Sequence, residues 1–266
     1  MKISNLNVYR GPCEVLRNLH IQFPKGQWTS IIGPNGVGKS SLLQGICNIL
    51  PITGNISIDG LDITKLNRKE RAKSIAWLAQ NSDAIEEFSE LTVYDTVMLG
   101  RIPHQGWLHL PSELDHQVVK QSLLKTHTQS IAARYLHELS GGERQRVLLA
   151  RLLAVQADIL LMDEPIANLD PPHQADWLNW QTELLAQGKT LVTVLHDIQY
   201  ALRANHIVML KHHVLNLSAK FIDERRIAHK VDHNQVKCGT FAVSIGKSIR
   251  QTFRDCECSC VISQSA

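Results

Sequence analysis

Eight consecutive residues, Gly33-Pro34-Asn35-Gly36-Val37-Gly38-Lys39-Ser40, hold the most specific chemistry in this 266-residue chain. They fit the pattern G-x-x-x-x-G-K-[ST] in full. The three glycines let the backbone turn back on itself and aim successive N–H groups inward, where a bulky side chain would block an anionic ligand. A helix starting near Lys39 adds the partial positive charge of its N-terminus, and the Lys39 ammonium can reach the β and γ phosphates of a nucleotide. Ser40, with Ser41 beside it, is then placed to meet a nucleotide and its Mg²⁺. An ordinary glycine-rich turn is the bland alternative, and the complete motif with its flanks argues against it. The expected ligand is a nucleotide with Mg²⁺.

Such a loop needs a strand entering it and a helix leaving it, and residues 28–32 and 39–50 carry those patterns. Upstream, Ile3, Leu6 and Val8 open a strand, Tyr9-Arg10-Gly11 reads as a turn, and residues 19–23 alternate apolar and polar, as antiparallel strands flanking the nucleotide strand would. Asp59-Gly60 between Ile56-Ser57-Ile58 and Leu61-Asp62-Ile63 is a two-residue hairpin signal. A short helix over 68–73 leads to a buried strand over 75–79 that ends at Gln80. From 81 to about 142 the strand signals give way to helical spacing at 92–99 and 112–124, the latter opened by a capping box from Ser112 to Asp115. Beyond it come a helix over 143–153, a buried strand over 159–162 ending in Asp163-Glu164, a helix capped by Asp170 with Pro171 and Pro172 in its first turn, and strands over 190–195 and 206–210. Strands alternating with helices around such a loop predict an α/β fold with a mainly parallel sheet covered on both faces, an antiparallel β subdomain and a helical subdomain.

Lys and Arg total 28 against 25 Asp and Glu, so a net charge of +3 gives no electrostatic case for nucleic acid. No apolar run approaches the ~18 residues of a membrane span. The start, Met1-Lys2-Ile3-Ser4-Asn5, lacks the apolar core of a signal peptide, and a cytosolic chain is expected. The cysteines, Cys13, Cys47, Cys238, Cys256, Cys258 and Cys260, suggest no disulfide framework in a chain this long.

Four further stretches follow the phosphate loop in a fixed order: Gln80, then Leu139-Ser140-Gly141-Gly142-Glu143, then the run 159–165 containing Asp163 and Glu164, then His196. Asp163, at the end of a buried strand, suits the hydration shell of Mg²⁺. Ser140, Gly141 and Gly142 precede a helix and form a second anion-binding start. Taken singly, Gln80 would read as a surface glutamine and His196 as a structural histidine. Taken together, residues 1–210 resemble the ATP-binding subunit of an ATP-binding cassette (ABC) transporter, whose signature sequence is Leu-Ser-Gly-Gly-Glu. The resemblance implies that Glu164 is the general base, that His196 contacts the γ-phosphate and positions Glu164, and that Gln80 reaches the Mg²⁺ and the attacking water. It places an adenine-stacking ring at Tyr9. It further implies a twofold dimer of two copies, in which Ser140, Gly141, Gly142 and Glu143 of one chain close over the ATP of the other and Asn168-Leu169-Asp170 crosses the interface. The family more often has serine where Asn168 stands.

DNA-repair members of that family carry a long coiled coil in the helical insertion, translation-associated members carry two cassettes, and exporters often fuse the cassette to membrane helices. The short insertion and single cassette therefore favour an importer over a soluble ATPase acting on DNA or ribosomes, or over an exporter. Residues 90–104 resemble the subfamily serving iron-siderophore, haem and vitamin B12 importers. The implied partners are integral membrane permease subunits and, indirectly, an extracytoplasmic substrate-binding protein, with the chain peripheral at the cytoplasmic face of the inner membrane. The apolar helical lobe, including Phe88, Tyr94, Met98 and Trp107, is the expected permease face. The expected cassette spans 1–217, with 218–266 a divergent tail. In that tail Cys256, Cys258 and Cys260 match no zinc spacing, and His212-His213 reads as a solvated turn.

Overall fold

The computed structural model describes residues 1–80, 90–106, 110–211 and 214–218. Phe88, Trp107, His212-His213 and the tail cysteines fall outside the described residues. The chain through Asn216 forms one compact unit, and Leu217 opens another.

Two sheets organise the described residues. The N-terminal strands β1 (Lys2–Arg10) and β2 (Cys13–Gln22) pair antiparallel and, with β4 (Ile52–Ile58) and β5 (Leu61–Asp62), make a four-stranded sheet in the order β2-β1-β4-β5. These strands thus form a sheet of their own and do not pair with the strand that enters the phosphate loop. Tyr9 and Arg10 lie within β1, and the turn falls at Gly11 and Pro12. The Asp59-Gly60 turn has φ of 49° and 85°, the left-handed pair that a tight hairpin needs.

The second sheet has the order β10-β9-β3-β8-β7-β6, built from β3 (Trp28–Ile32), β6 (Ile75–Leu78), β7 (Ile159–Asp163), β8 (Thr190–Val194), β9 (His206–Leu210) and β10 (Val214–Ser218). The pairs β6/β7, β7/β8, β3/β8 and β3/β9 are parallel. Every residue of β3, β7 and β8 is buried, which accounts for their continuous apolar sequence where a one-sided strand would alternate.

Register then positions the chemistry. Leu78 pairs with Met162, and Asp163 and Ile31 both pair with Val194, so four chain exits leave the C-terminal ends of neighbouring strands side by side. Those exits are Gly33, Gln80, Glu164 and His196, each one or two residues past its strand. Helix α1 (Lys39–Ile46) leaves the phosphate loop. It stops four residues before the expected end, because Asn48 takes a left-handed φ of 58° and its N–H bonds back to the Gly45 carbonyl.

Helix α2 (Arg68–Ser74), capped by Asn67, precedes β6. The helical lobe packs α3 (Val93–Met98), α4 (Glu113–Lys125) and α5 (Gly141–Ala154) around Val93, Val97, Val119, Leu123, Leu136 and Val147. Helix α6 (Pro171–Ala186) lies between β7 and β8, and the single turn α7 (Ile198–Ala201) between β8 and β9. Cys13 and Cys47 are free thiols, and burial pushes the Cys47 thiol up to about 12 against the charge of Arg71. Among the described residues no helix is long and apolar enough to cross a membrane.

Candidate functional site

Lys39 begins α1, and its side chain folds back into the loop before it, where Nζ donates to the carbonyls of Gly33 and Pro34 at 2.9 Å each. The ammonium thereby occupies the mouth of the loop it closes. Burial lowers its pKa, while the carboxylates of Asp163 and Glu164 pull the other way. Gly36, whose φ is 76°, and Gly38, at 100°, give the loop its curvature. Val15 and Leu16 of β2 lie against Gly38, so the hairpin end that carries Tyr9, which is paired with Glu14, borders the loop. Tyr9 itself is half-buried.

Asp163 ends β7 with 1% of its surface exposed. Burial raises its carboxyl pKa, aided by Glu164 and opposed by a hydrogen bond from Ser40 and by the charges of Lys39 and His196. One of its oxygens, Oδ1, is buried with no hydrogen-bond partner. A buried carboxylate oxygen without a donor is costly, and a hard cation held beside the Ser40 hydroxyl is the partner such a pair fits. The donor set therefore suits Mg²⁺.

Glu164 adopts φ of 51°, uncommon outside glycine, and its N–H bonds to the Val194 carbonyl at 3.1 Å. This kink aims its carboxylate along the sheet edge, where Oε1 accepts from the Gln80 amide and meets His196 Nε2 at 2.6 Å. Gln80 from β6, Glu164 from β7 and His196 from β8 thus converge on one oxygen atom.

Ser140 caps α5 with a reciprocal capping box: its Oγ accepts from the Glu143 N–H, and its own N–H and hydroxyl donate to Glu143 Oε2 at 2.8 Å. Gly142 admits no side chain, since a Cβ there would lie 2.9 Å from the Asn168 carbonyl oxygen. Asn168 has a left-handed φ of 62°, a conformation asparagine tolerates well, which gives a backbone reason for asparagine where serine is expected. Asp170 caps α6 and remains exposed. Gln145 Nε2 donates to the Pro165 carbonyl at 3.0 Å, tying α5 to the segment after Glu164. Nothing in the sequence singled out Gln145, because a buried polar contact between elements leaves no spacing pattern.

The ABC transporter family profile matches residues 16–167. The achromobactin transport ATP-binding protein CbrD of Dickeya dadantii is 43% identical over 197 residues, which cover 73% of this chain and 72% of that protein. The ferric enterobactin transport ATP-binding protein FepC of Escherichia coli is 38% identical over 211 residues, covering 78% and 77%. Among solved structures, the dimeric post-hydrolysis state of the ATP-binding cassette MJ0796 bound to ADP and Pi superposes with a TM-score of 0.70 at 28% identity, covering 81% of this chain and 98% of that one.

Proposed function

This chain belongs to the ABC transporter family and is an ATPase, and on that premise we propose that it is the energy-coupling subunit of an importer for iron-siderophore or haem type cargo. The observation that carries the catalytic part of the reading is the convergence of Gln80 and His196 on one carboxylate oxygen of Glu164, directly after Asp163. The relatives named for achromobactin and ferric enterobactin transport support the cargo class.

In this reading the amides of residues 33–38 and the Lys39 ammonium bind the phosphates of ATP, with Ser41 beside them and Tyr9 against the adenine. Ser40, Asp163 and Gln80 would hold Mg²⁺. The ion, when bound, neutralises phosphate charge. Lys39, freed from the Gly33 and Pro34 carbonyls, turns to the β and γ phosphates. Glu164 takes the proton of the water that attacks the γ-phosphorus, and His196 orients that carboxylate while contacting the γ-phosphate. Ser140, Gly141, Gly142 and Glu143 act on the ATP of a second copy, and Asp170 lies at that dimer interface, a reading supported by the dimeric cassette that this chain resembles. The helical lobe, where Tyr94 is half-buried with its hydroxyl on His116 Nδ1 at 2.6 Å and Met98 is half-buried, would receive membrane permease subunits at the cytoplasmic face of the inner membrane.

Replacing Glu164 with Gln tests the assignment. The variant should bind Mg-ATP and accumulate as an ATP-dependent dimer in size-exclusion chromatography, with hydrolysis reduced at least ~100-fold. Lys39→Ala should show neither hydrolysis nor the dimer. A Glu164→Gln protein that stays monomeric in ATP and hydrolyses at the unmutated rate would overturn the reading.

A further inference from the structure

The loop after Glu164 is held by side chains that take no part in the nucleotide site. Leu169 is buried, 6% exposed, while Asn168 and Asp170 on either side of it are exposed. Its carbonyl accepts a hydrogen bond from Gln174 Nε2 at 2.9 Å. The other end of the same amide, Gln174 Oε1, accepts from the Tyr200 hydroxyl at 2.7 Å. Tyr200 lies on α7, four residues after His196, and the Arg203 guanidinium sits over its ring at 5.8 Å. Gln174 is itself fixed in the first turn of α6, where its N–H bonds to the Asp170 carbonyl at 2.9 Å.

A hydrogen-bonded line therefore runs from the main chain between Asn168 and Asp170, through one side-chain amide, to the helix that follows His196. Glutamine suits the middle position, because its amide presents a donor to the carbonyl and an acceptor to the phenol. No member of the line lies within the phosphate loop, and the line bridges two connections that leave adjacent strands, β7 and β8.

We infer that Gln174 and Tyr200 are positioning residues that make the His196 segment and the Asp170 loop move as one. The inference rests on the roles proposed above for His196 and Asp170. His196 senses the γ-phosphate in its own chain, and Asp170 lies at the interface with the second copy. The relay passes the state of one ATP site to the surface that closes on the other. Its loss uncouples the two sites without weakening nucleotide binding to a single chain.

Three substitutions separate its two arms. Tyr200→Phe removes only the phenol donor, Gln174→Glu keeps an acceptor for Tyr200 but removes the donor to Leu169, and Gln174→Met removes both. Steady-state hydrolysis of Mg-ATP, its Hill coefficient and the binding of a fluorescent ATP analogue are measured on the full chain. Each variant should lose about tenfold in kcat, with analogue affinity within about twofold of the unmutated protein and the Hill coefficient falling toward 1. The double variant Gln174→Met with Tyr200→Phe should be no slower than Gln174→Met alone, as members of one unit are not additive. A purely structural role would lower thermal stability and leave the Hill coefficient and the split between kcat and KM unchanged. Variants with unaltered kcat and Hill coefficient overturn the inference, and if the glutamine variants do not fold, Tyr200→Phe decides alone. An unmutated chain that fails to hydrolyse ATP would remove the proposed roles and the inference together, whereas normal hydrolysis with unaffected relay variants removes the inference alone.

Discussion

At the scale of single residues, the nucleotide site is arranged against the stability of the empty protein. Asp163 is a nearly fully buried carboxylate with one oxygen lacking a partner, and Lys39 spends its ammonium on two backbone carbonyls. Because burial raises the Asp163 pKa in the folded chain, the native state holds this proton more tightly than the unfolded state does. Stability contributed by this group is therefore present at acid pH and falls as pH rises from the unfolded carboxyl pKa through the folded one. Asp163→Asn keeps the shape and removes the charge. It should raise the thermal midpoint of the nucleotide-free protein at neutral pH by about 2–4 °C for each kcal/mol of relief. Differential scanning fluorimetry checks the gain, and the same variant should lose the dependence of ATP affinity on Mg²⁺. An unchanged or lowered midpoint would show that the charge is compensated in the folded state. Glu164 follows the same logic in its backbone, since a left-handed φ on a residue with a long side chain costs roughly 1 kcal/mol or more and is retained where the direction of that side chain matters.

Among the elements, a buried ion pair fastens the helical lobe to itself. Arg101 Nε meets Asp115 Oδ1 at 2.8 Å with side chains 2% and 7% exposed, and the same guanidinium donates to the Ala154 carbonyl at 2.7 Å and to Gln156 Oε1 at 2.9 Å. It thus joins the turn after α3, the start of α4 and the end of α5. Burial works to raise the Asp115 pKa, but hydrogen bonds from Arg101 and Ser112 outweigh it and hold the group at about 2. The native carboxyl therefore binds its proton more weakly than the unfolded one. Its contribution, about 2 kcal/mol by the size of the shift, is present above pH ~4 and lost as pH falls toward 2. Arg101→Met should cost about 3–5 kcal/mol by chemical denaturation, because it strands a buried carboxylate, and adding Asp115→Leu should recover most of the loss. A single variant that costs nothing would show that water reaches the pair. This pair was not legible in the sequence, whereas the capping box that the same Asp115 makes with Ser112 was, because caps are local. The same contrast runs through the fold. The Asp59-Gly60 turn and the Asp170 cap depend on neighbours in sequence. The separation of β1 and β2 into their own sheet depends on pairing with β4, which periodicity does not encode. The end of α1 lies short of the apolar pattern because apolar residues continue past Asn48, and periodicity is blind to a left-handed residue. In the site, spaced motifs announced the phosphate loop, the signature and Asp163-Glu164, but Gln145, Gln174 and Tyr200 act through contacts between distant segments and have no motif.

For the whole molecule, the question is how much of the chain the nucleotide site requires. Every side chain assigned to it lies between Tyr9 and His196, yet the sheet continues through β9 to the edge strand β10. The site leans on that edge: a Cβ on Gly33 would lie 2.3 Å from the Leu210 carbonyl oxygen, so the last residue of β9 sets the backbone position at the entry of the phosphate loop. Two truncations separate the sheet from the rest. A chain ending at Ser218 keeps β10 whole and should bind ATP within about twofold of the full chain, since it removes none of the described residues of the sheet or the site. A chain ending at Leu210 deletes β10 and leaves β9 as an unpaired edge beside the loop, the situation in which exposed strand groups invite aggregation. It should lose thermal stability and bind ATP more weakly. Equilibrium binding of a fluorescent ATP analogue to the two truncated proteins decides the matter: a large loss already at Ser218 would place residues 219–266 in the nucleotide-binding machinery, and full affinity at Leu210 would show that β9 alone suffices to hold the loop.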